Sequence, residues 1–167
     1  MFGVATDGRS PASSRSATSV YLAIFRAVAT QDSDAMSDIQ TTTVSEAGYA
    51  CTSQVGDFDL AIDATDETGP NPNAALVATY ASCFLPAFRV GGQQRGHDDL
   101  GKLQIDADAD LDDDDDLESV SFDVHVEADL DDEELDEIVA RAEDICHVQA
   151  ALREGLRADV DVYGDAF

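Results

Sequence analysis

The chain has no tryptophan and nine basic residues among 167, against thirty-six Asp and Glu. Only one of the nine is a lysine, Lys102. The formal net charge of -27 excludes nucleic acid and anionic membrane surfaces as natural partners, because a polyanion is repelled by both. Cysteine is scarce as well. Cys51, Cys83 and Cys146 are an odd count with no CxxC pair and no zinc-ligand spacing. A disulfide scaffold and a structural metal site are therefore not expected, and thiols in a reducing compartment are. The apolar run from Val20 to Ala29 is interrupted by Arg26 and is too short to span a bilayer. No phosphate loop, dinucleotide fingerprint or nucleophile–His–Asp order appears.

What is present is a folding chain. Apolar residues make up 44% and fall in periodic blocks, unlike those of a disordered acidic tail. A lysine-poor, carboxylate-rich surface suits multimolar salt, where screening removes most self-repulsion, and points to the cytoplasm of a salt-accumulating microbe, a halophilic archaeon. The excess acid begins at Met36. In residues 1–35, Arg9, Arg15 and Arg26 balance Asp7, Asp32 and Asp34. This Ser/Ala/Thr-rich stretch is a doubtful extension. It is read as the product of a mis-assigned start ahead of Met36, with a disordered arm and a targeting segment as the alternatives. Residues 36–167 form the domain.

Within that domain, Thr41–Val44, Ala50–Val55 and Phe58–Ile62 read as strands separated at Gly48 and at Gly56-Asp57. Asp63–Pro72, with Gly69, Pro70 and Pro72, reads as a loop. From Asn73 the sequence AALVATYASCFLPAFRV is apolar on nearly every face, which predicts a buried central helix ending at Gly91-Gly92. Lys102–Asp110 and Leu117–Ala128 alternate as strands, and Asp110–Asp116 joins them. That acidic run lacks the glycine and terminal glutamate of a calcium loop and reads as solvated. Asp131–Ile145 carries Leu135, Ile138, Val139, Ala142 and Ile145 at helical spacing, Ala150–Leu156 continues helical, and Val160–Tyr163 closes as a strand. The order β-β-β-α-β-β-α-α-β has no βαβ repeat, so the expected class is α+β, with antiparallel sheets packed on the long central helix.

Cys83 lies in the most apolar helix, where a free cysteine is ordinarily a small hydrophobe. Two features set it apart. Pro86 removes the N–H that Ser82's carbonyl would accept, and Thr79 and Tyr80 bring hydroxyls to the turn below the thiol. Cys146 sits beside His147 where one helical segment hands over to the next. There, helix amides and an imidazolium would lower a thiol pKa. Cys51 reads as a half-buried strand residue, and His97 and His125 as surface or sheet-face positions.

The segment GPNPNAALVATYASCF, Gly69–Phe84, resembles the OsmC/Ohr signature, in which an Asn-Pro loop leads into a helix bearing a peroxidatic cysteine. Ala142-Glu143-Asp144-Ile145-Cys146 is similar to the helix presenting that family's second cysteine. The order and spacing of the two motifs, the hairpin between them and the closing strand agree over roughly residues 39–163. The resemblance implies an intertwined homodimer and a cofactor-free, metal-free thiol peroxidase. Cys83 would attack an organic hydroperoxide, Cys146 would resolve the sulfenic acid as a disulfide, and a dithiol reductant such as dihydrolipoamide would reopen it. The pattern departs from the family at the activating groups. Residues 36–72 hold no Arg or Lys where the family supplies an arginine, the glutamate after Asn-Pro is Asn73, and the proline after the second cysteine is His147. Arg89 is the candidate substitute. These losses keep two other readings open: a catalytically silent dimer binding an apolar ligand or partner, and a thiol redox sensor.

Overall fold

Asn71 opens the central element. Its side chain accepts the N–H of Ala74 at 2.8 Å, and Pro72, which has no N–H to satisfy, takes the first helical position. The computed structural model describes residues 37–167, so the extension read over residues 1–35 lies outside the described residues. Helix α1 runs from Pro72 to Arg95 through Pro86 and stops at Gly96, whose φ of 96° is the left-handed cap that glycine adopts freely.

The end of α1 corrects the expectation of a stop at Gly91-Gly92. Both glycines are helical and buried because their missing side chains permit close packing. A Cβ on Gly91 would stand 3.0 Å from the Ile138 carbonyl oxygen, and one on Gly92 would stand 2.8 Å from Leu100 Cδ1.

Before α1, strands β1 (Thr41–Val44), β2 (Ala50–Val55) and β3 (Phe58–Asp63) form an antiparallel three-stranded meander. After α1, β4 (Leu103–Leu111) and β5 (Leu117–Val126) form a hairpin, with β6 (Asp159–Tyr163) on the other edge of β5. The α+β class stands, with two small sheets and one long helix. One pairing departs from expectation, because β6 runs parallel to β5. The chain returns through α2 (Asp132–Ile145), α3 (His147–Ala151) and a 3₁₀ turn at Glu154–Leu156. A helical return of that length brings the next strand back in the same direction as β5. Nor is the second helical segment continuous to Leu156, since α3 ends at Ala151.

Helix α2 begins at a reciprocal cap. Asp131 accepts the Glu134 N–H at 2.9 Å, and Glu134 accepts the Asp131 N–H at 3.1 Å. Its apolar stripe, Leu135, Ile138 and Ala142, meets Phe84 and Phe88 of α1 and Phe122, Val124 and Val126 of β5 in one core. Phe122 packs on Tyr80 and Phe84, with ring centroids 4.7 and 5.6 Å apart. The other side of the molecule is different. Tyr49 and Phe58 at the first sheet are each 75% exposed, and Leu76 and Val90 of α1 also face outward. Thus α1, expected to be buried all round, is covered on one side only within the described chain.

Candidate functional site

The two halves of the site come from distant parts of the sequence. Cys83 projects half-buried from the middle of α1. Cys146, 1% exposed, ends α2 and caps α3. The core packing of α1 against α2 makes the two cysteines neighbours, Cys83 packed against the core that contains Cys146, both as free thiols. Cys51 stands apart in β2 opposite Ile62 of β3.

The environment of Cys146 differs from the sequence expectation. Helix amides do act on it, because the N–H groups of Gln149 and Val148 in the first turn of α3 favour the thiolate. Burial outweighs them, however, and pushes the thiol above its usual range, and the neighbouring Cys83 adds to the rise. His147 is exposed on the first turn of α3. Cys146 is therefore held as a protonated, buried thiol, whereas the half-buried Cys83 is open to solvent on one side.

The supporting residues named from sequence occupy other stations. Asn73 donates to the Asp115 carbonyl at 3.1 Å, which ties the start of α1 to the β4–β5 turn. It lines a groove of about 350 Å³ with Asn71, Val77, Ala107 and Leu111, and neither cysteine borders that groove. Arg89 donates to the Gly101 carbonyl at 2.9 Å and pins the loop after α1. Among the described residues, arginine side chains bond Gly101, Glu137, Gln94 and Leu117, and none donates to Cys83. His97 faces Glu134, and His125 faces Asp106 at 3.1 Å on the outer face of the second sheet. No cluster of three or more His, Cys, Asp or Glu side chains suited to a metal occurs among the described residues.

The Tyr80 hydroxyl is visible in the sequence, but its partners are not. Thr79 merely bonds the carbonyl of Ala75 within its own helix. Tyr80, 1% exposed, donates to Gln149 Oε1 at 2.7 Å and accepts the Ala158 N–H at 3.0 Å. Burial, the largest influence, raises its pKa, and the Ala158 bond opposes the rise. Glu143, one turn before Cys146, is also raised, chiefly by burial and then by Asp144, with Arg157 acting against both. Gln149, a buried polar side chain at the start of a short helix, was the available signal for this network. Beside Tyr80, Leu76, Val77, Leu152 and Leu156 line a small apolar cleft, and Leu76 shares the Cys83 face of α1 two turns earlier.

Two small sheets, a long cysteine-bearing helix and a second thiol delivered by the α2–α3 junction define a dithiol α+β protein. The family model for OsmC-like protein matches residues 64–161, and the chain belongs to that family. An uncharacterized protein of Haloferax volcanii is 80% identical over 132 residues, which is 79% of this chain and all of the relative. That likeness agrees with the halophilic archaeal reading of the composition. Among solved structures, the OsmC-like protein of Mycoplasma pneumoniae superposes with a TM-score of 0.68 at 18% identity, covering 77% of this chain and 97% of that one. The organic hydroperoxide resistance protein OhrB of Bacillus subtilis superposes at 0.59 and 23% identity, covering 77% of this chain and all of the other. At these identities both likenesses concern the fold.

Proposed function

We propose that the protein is a cytoplasmic thiol peroxidase that reduces organic hydroperoxides in defence against oxidative stress. The observation that carries this reading is that Cys83 and Cys146, far apart in sequence, are neighbouring free thiols across the α1–α2 packing. The solvent-facing thiol would be the attacking one. Cys83 thiolate attacks the distal peroxide oxygen, an S–O bond forms as the O–O bond breaks, and the displaced alkoxide leaves as an alcohol after taking a proton. Cys83 becomes a sulfenic acid. Cys146 then attacks that sulfur, water leaves, and a Cys83–Cys146 disulfide remains. A dithiol such as dihydrolipoamide reopens it by exchange and is itself oxidised to a disulfide. The difference between the thiols suits this division of labour. A buried, protonated Cys146 is a poor first nucleophile but is already placed for the second step.

The same reading includes a homodimer. The first sheet is exposed over most of both faces, and Phe58, Leu60, Tyr49 and Leu76 present apolar surface that an isolated protomer leaves wet. One observation favours the alternative of a silent, ligand-binding dimer: Arg89 is engaged with Gly101 and no basic side chain among those described donates to Cys83. Turnover of cumene hydroperoxide with dihydrolipoamide at multimolar KCl separates the readings. A peroxidase loses turnover in Cys83→Ser and accumulates over-oxidised Cys83 in Cys146→Ser. A binding protein shows no turnover in any form, and its Cys83 resists alkylation below neutral pH.

A further inference from the structure

We infer that the Tyr80–Gln149 pair is a positioning device that holds the first turn of α3 so that Cys146 faces Cys83, and that it serves disulfide closure rather than the chemistry at Cys83. The inference rests on the proposed dithiol chemistry and adds residues to it. Tyr80 lies three residues before Cys83 on α1, hence on the same side of the helix. Its hydroxyl spans to α3 through Gln149 Oε1 at 2.7 Å and to the segment entering β6 through the Ala158 N–H at 3.0 Å. Gln149 in turn lies three residues after Cys146, on the first turn of α3 that Cys146 opens. One side chain thus links the helix bearing the first thiol to the turn bearing the second.

That turn needs such a link. Helix α3 has five residues, too few to be stable alone, and no side chain caps its start. Its placement depends on tertiary bonds. With Tyr80 1% and Gln149 7% exposed, water is poorly placed to replace a lost bond. The aromatic ring has a separate job in packing 4.7 Å from Phe122, so Tyr80→Phe removes the tether and keeps the packing.

The test uses the full chain carrying Cys51→Ser, equilibrated at multimolar KCl with reduced and oxidised glutathione and then trapped by alkylation. In closure, Cys83 thiolate attacks glutathione disulfide and releases one glutathione thiolate. Cys146 then attacks the mixed disulfide at Cys83 and releases the second, its proton passing to solvent. The measured quantity is the effective concentration of Cys146 towards Cys83. Tyr80→Phe is expected to lower it about tenfold, the equivalent of one buried hydrogen bond. The first attack, measured with Cys146→Ser present, is expected to hold within about twofold, since Cys83 itself is untouched. Because Tyr80→Phe strands two buried partners, Tyr80→Phe/Gln149→Met is made alongside it. Removing both ends of a bond restores much of the stability, so the double variant is expected to regain thermal stability while still closing poorly. Equal closure in parent and variants would overturn the positioning inference alone, as would closure that recovers with stability in the double variant. A parent that never closes in any glutathione ratio would overturn this inference and the proposed function together.

Discussion

Asp123→Asn is expected to stabilise the protein at low salt and to do almost nothing at multimolar salt. On the outer face of the second sheet, Asp106 of β4 stands opposite Asp123 of β5, which stands opposite Asp161 of β6. Like charges directly across strands are destabilising, and such neighbours lie about 5 Å apart. In a water-like dielectric two unit charges at that distance repel by roughly 0.8 kcal/mol. Asp123 has a neighbour on each side, so removing its charge relieves roughly 1.5 kcal/mol at low ionic strength. At 1 M salt the screening length falls to about 3 Å and leaves about a fifth of this. Two contacts already blunt the repulsion: His125 Nε2 lies 3.1 Å from Asp106, and the Tyr163 hydroxyl donates to Asp123 Oδ1 at 3.2 Å. Asparagine keeps an Oδ1 acceptor for Tyr163, so the substitution isolates the charge. The assay is thermal unfolding of both proteins at low and at multimolar KCl. The expected result is a midpoint about 5 °C higher for Asp123→Asn at low salt only. An independent readout is the Tyr163 phenol, whose pKa is raised first by its bond to Asp123 and next by that carboxylate's charge, so ultraviolet titration is expected to show it falling in the variant. Equal midpoints at low salt, or an equal shift at both salts, would refute the electrostatic reasoning.

Ile138→Ala, which empties a fully buried site between α1 and α2, is expected to cost about 2–5 kcal/mol in denaturant unfolding. Gly91→Ala is expected to cost about 1–3 kcal/mol, because its Cβ meets the Ile138 carbonyl at 3.0 Å and the α1–α2 contact must open. Asp63 accepts bonds from the backbone N–H and hydroxyl groups of Thr65 and Thr68, and these hold its pKa at about 2. A lowered folded-state pKa stabilises above the unfolded value of about 3.9 and is lost as pH falls through the folded value. Acid unfolding is therefore expected to bring a loss of stability between about pH 4 and 2 that Asp63→Asn, weaker at neutral pH, does not share. In the reduced protein Cys146 is expected to resist alkylation at mildly alkaline pH and to react at once on denaturation, as thiol-trapping mass spectrometry would show.

Much of the fold was legible because alternation in β4 and β5 and the stripe along α2 each have a single physical meaning. Glycine does not. Gly91-Gly92 reads as a stop, yet the pair serves close approach to Ile138 and Leu100, and only the position of α2 decides between the two meanings. The direction of β6 was likewise set by a helical return whose length is visible but whose crossover is not. At the site, the two cysteines stood out by motif. Burial of Cys146 reversed the pKa direction that a helix start alone suggests, and burial is a property of packing rather than of local sequence. The partners of Tyr80 lie 69 and 78 residues away in the chain, beyond any local pattern.

The most direct test of the account is disulfide mapping after one equivalent of cumene hydroperoxide is added to the fully reduced protein at multimolar KCl. The account expects a single crosslinked peptide joining Cys83 to Cys146, with Cys51 still free and the hydroperoxide converted to its alcohol. Free Cys83 and Cys146 beside unconsumed hydroperoxide, or a crosslink through Cys51, would contradict it.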